Sequence, residues 1–224
     1  MSDIVALDDI ELIPAVELTP FDFAADGRSA PSGAYADMPE AWSRYWRDAL
    51  ADSGIGGLAP LHEASWYVPT SVFTDAALLG NVLEVIFRNL PDQADRSDRM
   101  PLTGGLALRC RSEDVLIEPS CCGDLGNLAD WRDVVGYRGS EWRMLWIGHP
   151  WLSVRYQAPG LIVSEPHESE DPTARWSIDP EALQAAVDAA ETELARFAGQ
   201  IAEALPHDLR IGGPERRERV LAML

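Results

Sequence analysis

The hydrophobic pattern of the chain changes twice along its length, and this change limits the possible folds more than any single motif does. Between residues 102 and 178, short apolar runs alternate with turn sequences such as Gly148-His149-Pro150, which is the pattern of an antiparallel sheet. On both sides of this block, apolar residues recur every three or four positions, as in amphipathic helices. Strands and helices that occupy separate parts of a chain are typical of the α+β class. We therefore expect an α+β fold whose antiparallel sheet consists roughly of residues 102–178 plus an N-terminal strand.

Amphipathic helices are predicted to flank the sheet near residues 38–52, 75–90 and 179–204. The last of them is the most clearly marked, because Asp179 can cap it and proline is tolerated at the next position. Its apolar residues recur at alternating intervals of four and three, so that one continuous helix is expected to bury them. These residues are Leu183, Val187, Ala190, Leu194, Phe197 and Ile201.

The other helix starts are predicted from side chains that can accept hydrogen bonds from the first backbone N–H groups. Asp37 is the predicted cap of the first helix, with Pro39 in its first turn. Thr74 or Asp75 is expected to cap the second helix. A further short helix in the segment LADWRDVV would be capped by Asn127.

The length and composition favour one domain rather than two. The chain has 224 residues, of which 46% are hydrophobic and 25% are charged, as in ordinary globular proteins. Single domains often reach this length. We expect a single α+β domain over residues 1–224, with a mobile C-terminal tail at 206–224.

The charge of the chain limits its partners. It has 37 acidic residues but only 18 basic ones, all of them arginine, and a formal net charge of −19. Nucleic acids and anionic membranes bind proteins through Lys and Arg that neutralise phosphates, so neither is expected as a partner. A basic protein partner would instead be attracted. The plainer alternative is that a GC-rich bacterial genome supplies arginine and acidic codons, and that the charge keeps the protein soluble.

The cysteines and the N-terminal segment indicate a cytoplasmic protein. Three cysteines, two of them adjacent, are odd in number and too few for a disulfide framework. The first residues contain neither the basic region nor the long apolar run of a signal peptide. No run approaches the roughly 18 apolar residues of a membrane span. A reducing, cytoplasmic environment is therefore expected.

The densest cluster of unusual residues is the segment CCGDLG, residues 121–126, at the end of a predicted strand. Loops at such positions often carry function, so Cys121, Cys122 and Asp124 are binding candidates. Either thiol could act as a nucleophile if the following helix or His149 activated it. Alternatively, the cysteines could bind zinc together with His149 and His167, although adjacent cysteines lack the spacing of known structural sites.

We favour a structural role for this loop over both alternatives. The nearby carboxylates of Glu118 and Asp124 would raise the pKa of a thiol and so oppose a nucleophile. In the structural interpretation, Cys121 or Cys122 packs into the core as a small apolar side chain. Gly123 and Gly126 are then expected to supply the positive φ angles of a tight turn.

A second group of binding candidates consists of Trp142, Trp146, His149 and Trp151, together with Trp176. Aromatic residues with a polar group dominate the hot spots of protein interfaces. Trp142 and Trp146 have the same parity in a predicted strand, so both should lie on one side of the sheet. Leu145 and Ile147 should lie on the other side. In the alternative, which we favour, the tryptophans only pack the sheet against the helices.

The sequence lacks the common enzyme signatures. It contains no phosphate-binding P-loop, no dinucleotide-binding glycine motif, no nucleophile elbow and no HExxH zinc motif. We therefore favour a non-enzymatic, acidic interaction protein that binds a basic protein partner, in the manner of an immunity protein or regulator. The alternative is a small-molecule enzyme or ligand-binding domain with a pocket between the CCGDLG loop and the GHPW turn at 148–151. Neither a cofactor nor a metal is predicted, and the oligomeric state is left open.

Overall fold

The computed structural model describes residues 4–88 and 102–204 and confirms the α+β class. The predicted tail at 206–224 and the end of the second predicted helix lie outside these residues. The strands are β1 (Val5–Leu7), β2 (Ile10–Glu17), β3 (Tyr67–Pro69), β4 (Gly104–Cys110), β5 (Val115–Ile117), β6 (Arg143–Leu145), β7 (Leu152–Gln157), β8 (Gly160–Ser164) and β9 (Ala174–Ile178). The helices are α1 (Pro20–Phe23), α2 (Pro39–Asp52), α3 (Ala76–Arg88), α4 (Leu128–Val135) and α5 (Pro180–Ala204).

The described residues divide into two compact units. The first unit contains residues 4–15 and 103–194, and the second contains residues 16–88, 102 and 195–204. Strand β2 and helix α5 each belong partly to one unit and partly to the other. A single domain over residues 1–224 therefore stays a prediction.

The first unit contains most of the strands, in two sheets. Five strands form a sheet in the order β1-β9-β8-β7-β6, in which β6 to β9 are antiparallel neighbours and β1 pairs with β9 in parallel. Strands β2, β4 and β5 lie side by side in another sheet, where β4 and β5 form the predicted antiparallel hairpin. The strands expected in one sheet are thus divided between two. Apolar alternation indicates a strand and its buried face, but it does not identify the neighbouring strand.

The second unit is mainly helical. It contains α1, α2 and α3, with β3 beside the end of β2, where the Leu18 N–H donates to the Trp66 carbonyl oxygen at 2.9 Å. Helix α2 packs its apolar side inward, and the Trp46 indole N–H donates to the Leu18 carbonyl oxygen at 2.8 Å. The rings of Phe73 and Phe197 lie 5.7 Å apart in the core of this unit.

Helix α5 confirms the clearest prediction from the sequence. It runs without interruption from Pro180 to Ala204, and Asp179 caps it, because its Oδ1 accepts from the N–H groups of Glu181 and Ala182 at 2.7 and 3.2 Å. All six apolar residues of the predicted stripe are at most 4% exposed: Leu183, Val187, Ala190, Leu194, Phe197 and Ile201.

Two of the predicted helix caps are wrong. Asp37 ends a short 3₁₀ turn, and α2 begins after Met38, which makes no side-chain cap. Asn127 stands before α4 but already has helical backbone angles, because it ends the preceding 3₁₀ turn, and its side chain makes no cap hydrogen bond. Asp75 does cap α3, since its Oδ1 accepts from the Ala77 N–H at 2.8 Å.

Across residues 4–88 and 102–204, none of the helices combines the length and the apolar composition that a transmembrane span requires.

Candidate binding sites

The two segments that the sequence singles out in the first unit lie side by side. Cys121 and His149 form an isolated antiparallel bridge, in which the His149 N–H donates to the Cys121 carbonyl oxygen at 3.0 Å. The Ser120 N–H next to this bridge donates to the Ile147 carbonyl oxygen at 2.7 Å. The Cys121 thiol also donates to the His149 carbonyl oxygen at 3.3 Å. Backbone pairing therefore fixes the CCGDLG loop directly against the GHPW turn.

Cys122, rather than a glycine, adopts the left-handed conformation in this loop. The Gly123 N–H donates to the Ser120 carbonyl oxygen at 3.3 Å and so closes a four-residue turn around the two cysteines. The φ of 66° at Cys122 gives the pattern of a type II turn, whose third position usually needs glycine. The prediction of positive φ at Gly123 and Gly126 is therefore wrong.

Gly123 is needed for space instead of conformation. A Cβ at this position would lie 2.6 Å from the carbonyl oxygen of Gly104 and 3.2 Å from that of Ile147. The Gly104 backbone thus approaches the loop more closely than a side chain would allow, and the Ile147 backbone leaves little further room. At Gly126, a Cβ would meet the Asp124 side chain at 2.9 Å, and a side chain of this kind can move aside.

Both thiols of the loop are exposed, and the buried cysteine is Cys110. The prediction that Cys121 or Cys122 packs into the core is therefore wrong, because the turn that carries them lies at the surface. The Cys121 thiol is bonded to a backbone carbonyl oxygen rather than to the imidazole of His149, which packs against tryptophans. In the part of the chain that the structure describes, no three His, Cys, Asp or Glu side chains gather closely enough to hold a metal ion.

Four rings beside this loop form a continuous row, which we call the aromatic row: Trp146, His149, Trp151 and His167. The His149 ring lies 4.6 Å from Trp146 and 5.5 Å from Trp151, edge to face in both cases. The two tryptophans are nearly parallel at 6.4 Å, and His167 follows at 5.7 Å from Trp151. The structure thus brings three of the predicted binding residues together and adds His167.

Hydrogen bonds fix the end of the aromatic row. Trp151 and His167 form a second antiparallel bridge, with backbone hydrogen bonds of 2.9 and 3.2 Å. The Nδ1–H of His167 donates to the Ser169 carbonyl oxygen at 2.9 Å, since a carbonyl can only accept. In the neutral ring, Nε2 then accepts from the Ser153 hydroxyl at 2.9 Å. Ser153 is only 4% exposed, so this arrangement orders the sheet.

The remaining predicted site residues lie outside the aromatic row. Trp142 packs under the guanidinium of Arg155, whose Cζ lies 4.9 Å from the ring centroid. Asp124 is exposed and pairs with Thr103 in another isolated bridge. Trp176 lies in β9, and the described ring contacts do not include it.

A second aromatic group lies in the second unit, and we call it the aromatic patch: Phe21, Tyr35, Trp42, Tyr45 and Trp66. Each ring contacts at least two others, with centroid distances between 5.4 and 6.3 Å. Most of these pairs are edge-to-face or tilted, the arrangements that ring quadrupoles favour. The five rings therefore hold one another in place.

Part of the aromatic patch is open to solvent. Phe21 is 57% exposed and Tyr35 is 36% exposed, whereas Trp42 and Tyr45 below them are at most 9% exposed. Met38, which immediately precedes α2, is also 38% exposed. The Trp42 indole N–H donates to the Gly33 carbonyl oxygen at 3.1 Å, which ties the loop before α2 to the patch. Large apolar side chains gathered at a surface in this way often mark interaction sites.

Sequence reasoning did not identify the aromatic patch. The helical spacing of apolar residues predicted that Trp42 and Tyr45 lie on the buried side of a helix, which is correct. Phe21 and Tyr35, however, lie in a four-residue helix and a 3₁₀ turn, where no periodicity marks a buried or an exposed side. The available signal was the density of aromatic residues, seven between positions 21 and 66.

The carboxylates near the start of α1 are held at raised pKa values. Burial raises the pKa of Glu17 above its ordinary value, and the neighbouring charge of Asp22 raises it further. Burial also raises the pKa of Asp22. The opposite case occurs at Asp52, where hydrogen bonds from Arg28 and from the Ala25 N–H lower the pKa to about 2. Glu17 and Asp22 are thus protonated more readily than usual, whereas Asp52 strongly favours its charged form.

Comparisons with known proteins identify no relative of this chain. No family model matches the chain, and comparisons with curated proteins and with solved structures also found no match. Function must therefore be inferred from the geometry of the sites themselves.

Proposed function

We propose that this chain is a non-enzymatic interaction protein that binds a basic protein partner at the aromatic patch. The observation that carries the proposal is the exposure of Phe21 and Tyr35 above the buried rings of Trp42 and Tyr45. Exposed aromatic residues supported by a packed layer are the usual anchors of an interface. Since neighbouring rings already hold them, little side-chain entropy would be lost on binding.

The charges around the aromatic patch favour a basic partner. Asp22 follows Phe21 in α1, and Asp37 and Glu40 lie on either side of the exposed Met38 and are themselves exposed. Arginine side chains stack well on aromatic rings and pair with carboxylates at the same time. The net charge of −19 would steer such a partner toward the molecule.

The raised pKa values of Glu17 and Asp22 are consistent with a positively charged partner. Burial disfavours the charged forms of both carboxyl groups. A cationic group of a partner placed beside them would stabilise these charged forms. Binding is therefore expected to weaken as the pH falls and the carboxylates become protonated.

The sharpest test uses a synthetic oligo-arginine peptide and an oligo-lysine peptide of equal length in isothermal titration calorimetry. Phe21→Ala combined with Tyr35→Ala should weaken binding of the arginine peptide by about tenfold or more. Met144→Ala is the matched control, since Met144 is also strongly exposed, at 55%, but lies in the first unit. The arginine peptide should also bind more tightly than the lysine peptide, because guanidinium groups stack on rings more readily.

Nonspecific electrostatic attraction between the acidic protein and any basic peptide would give a different result. If the double variant bound the arginine peptide as tightly as the unchanged protein, or if both peptides bound equally, net charge alone would account for binding. Either result would contradict a role of the aromatic patch. Asp37→Asn with Glu40→Gln should reduce the salt dependence of binding, because fewer charges near the site would be screened.

We also infer that the protein functions in the cytoplasm. Cys121 and Cys122 are exposed and are not joined in a disulfide, and surface thiols stay reduced in a reducing compartment. The alternative function, a small-molecule enzyme or ligand-binding domain with a pocket between the CCGDLG loop and the GHPW turn, stays a prediction. It is less favoured, since the backbones of the two segments pair directly at Cys121 and His149.

A further inference from the structure

The aromatic patch lies in the same unit as the last turns of helix α5. A Cβ at Gly80 of α3 would lie 3.3 Å from the Ala204 carbonyl oxygen, so the described end of α5 packs against α3. Helix α3 in turn contacts α1, which carries Phe21 of the patch. Packed helices lie about 8–10 Å apart. Ala204 is therefore separated from the helix that carries Phe21 by one helix, α3.

The chain continues from 205 to 224 beyond Ala204, the last described residue of α5. Arg216 is 12 positions farther along the chain (216 minus 204), and 12 residues can span up to about 40 Å. A compact unit of about 100 residues has a radius of gyration of only about 13 Å. The length of chain beyond α5 is therefore sufficient for Arg216 and the residues after it to reach the aromatic patch.

The sequence of residues 205–224 is positively charged, in contrast to the chain as a whole. It contains four arginines and three acidic residues, whereas the whole chain has a net charge of −19. Arg216, Arg217 and Arg219 fall within four positions, and no other window of five residues in the sequence contains three arginines. The apolar sequence VLAML follows them directly, at 220–224. This part of the chain thus combines guanidinium groups with an apolar end.

The aromatic patch has the complementary features. Phe21, Tyr35 and the neighbouring Met38 expose apolar surface to solvent. Asp37 and Glu40, on either side of Met38, add exposed carboxylates. Guanidinium groups stack on aromatic rings and pair with carboxylates, and covering exposed apolar surface is favourable. A segment that carries both arginines and apolar side chains therefore fits this surface.

The arginines of the described residues do not neutralise these carboxylates. Arg28 is engaged by Asp48 and Asp52. Within residues 4–88 and 102–204, no ion pair includes Asp37 or Glu40. The two carboxylates beside Met38 thus remain available to a cationic segment.

Attachment to the same chain makes weak contacts sufficient. A segment joined to its binding surface by a short stretch of chain meets it at an effective concentration in the millimolar range. A contact with a dissociation constant of about 1 mM would therefore already cover the patch in about half of the molecules. A partner in solution at a much lower concentration would have to bind more tightly to compete.

We infer that residues 214–224 of the same chain occupy the aromatic patch and that the basic protein partner must displace them. The three arginines of this segment pair with the carboxylates beside Met38, and residues 220–224 cover the exposed rings. The inference rests on the proposed function, because it assigns a regulator to the same binding surface. A partner then binds with an apparent affinity reduced by the fraction of molecules whose patch is open.

The test changes the segment within the full chain. The segment variant combines Arg216→Gln, Arg217→Gln and Arg219→Gln. In isothermal titration calorimetry it should bind the oligo-arginine peptide about threefold or more tightly than the unchanged protein does, because its patch is open more often. The gain should disappear when Phe21→Ala and Tyr35→Ala are added, since the surface that the segment covers is then lost.

The matched control combines Arg111→Gln, Arg132→Gln and Arg175→Gln. These arginines belong to the first unit, their side chains are 66%, 52% and 44% exposed, and the control changes the net charge by the same amount. Any effect of net charge on peptide binding therefore occurs in both variants. Only the segment variant should show the additional gain, and circular dichroism would check that both variants are folded.

The indole N–H signals of Trp42 and Trp66 report the occupancy of the patch without any peptide. They should differ between the unchanged protein and the segment variant, whereas those of Trp146 and Trp151 in the aromatic row should coincide. The difference should not depend on protein concentration, because the segment and the patch belong to one chain. A difference that disappears on dilution would assign the segment of a second copy to the patch and overturn the inference.

The inference and the proposed function fail in different ways. Peptide binding that depends on Phe21 and Tyr35, but is equally tight in the segment variant and its matched control, would overturn the inference and leave the proposed function intact. Peptide binding that is insensitive to Phe21 and Tyr35 in both the unchanged protein and the segment variant would overturn both. Binding that appears only in the segment variant and depends on the two rings would support both.

Discussion

The aromatic row of the first unit and the aromatic patch of the second unit contain similar residues but differ in what holds them. The row alternates tryptophan with histidine and is fixed by two backbone bridges, at Cys121–His149 and Trp151–His167. Among the described residues, no isolated bridge joins the patch, although the Trp66 carbonyl oxygen accepts from the Leu18 N–H at 2.9 Å, and the rings mainly hold one another. Its outer rings, Phe21 and Tyr35, are open to solvent. His149 of the row is exposed as well, so neither aromatic density nor exposure alone separates the two groups, and they differ mainly in the backbone bridges that fix the row.

The largest effect should come from the loop beside the aromatic row. Gly123→Ala should destabilise the protein by about 3 kcal/mol, because its Cβ would collide with the Gly104 carbonyl oxygen in a packed region. Gly126→Ala is the matched control and should change stability by less than about 0.5 kcal/mol, since its Cβ would meet only the Asp124 side chain. Urea unfolding measures both. Equal effects would show that neighbouring backbone does not restrict Gly123.

The next effect concerns the hydrogen bonds at the end of the aromatic row. His167→Phe should destabilise the protein by about 2 kcal/mol, because the buried Ser153 hydroxyl would lose its ring partner. The replacement keeps an aromatic ring against Trp151, so the loss reports the hydrogen bonds rather than the packing. If His167→Phe were as stable as the unchanged protein in urea, the row would not have the structural role inferred for it.

A smaller effect on stability is expected in the aromatic patch. Phe21→Ala should change the free energy of unfolding by only about 0.5 kcal/mol, as surface substitutions usually do, because more than half of the side chain is already exposed, at 57%. The same substitution should weaken binding of the oligo-arginine peptide. A large loss of stability would instead assign Phe21 to the core and make the patch a structural group like the row.

The smallest effect has the opposite sign and depends on pH. Burial and the charge of Asp22 raise the pKa of Glu17, so the folded state disfavours its charged form relative to the unfolded state. Glu17→Gln should therefore stabilise the protein at neutral pH, and this gain should disappear as the pH falls through the raised pKa toward the ordinary value of 4.5. Thermal unfolding across this pH range measures it.

Asp52→Asn is the contrasting control for the pH experiment. Its pKa is lowered to about 2 by Arg28 and the Ala25 N–H, so the charged form stabilises the folded state. Asp52→Asn should destabilise the protein at neutral pH, and the difference should vanish as the pH falls from the ordinary value of 3.8 through about 2. A pH dependence of the same sign for both variants would contradict the assignment of the two environments.

The sequence was sufficient to predict the structure where local features alone determined it. Helix α5 follows from its cap at Asp179 and from its apolar period, and both are present as expected. The cap at Asp37 failed because a 3₁₀ turn uses the same residues before the helix begins. Local propensity does not distinguish these two outcomes, since both place an acidic residue near a helix start.

The candidate sites depended on contacts between distant segments, which the sequence does not reveal. The proximity of Cys121 and His149 belonged only to the less favoured interpretations of the sequence, and Gly123 is required because the Gly104 carbonyl oxygen lies so close to it. His167 joins the aromatic row through a bridge to Trp151, 16 positions away in the chain (167 minus 151). The aromatic patch likewise joins a short helix, a 3₁₀ turn, α2 and the segment before β3. Side chains brought together in this way have no common period.

The most direct test of the central claim is an NMR titration with the oligo-arginine peptide that follows the indole N–H signals of the tryptophans. Trp42 and Trp66 belong to the aromatic patch, whereas Trp146 and Trp151 belong to the aromatic row. We predict that the signals of Trp42 and Trp66 shift with the peptide concentration while those of Trp146 and Trp151 stay in place. Shifts confined to the row, or equal shifts of all four signals, would contradict a binding function of the patch.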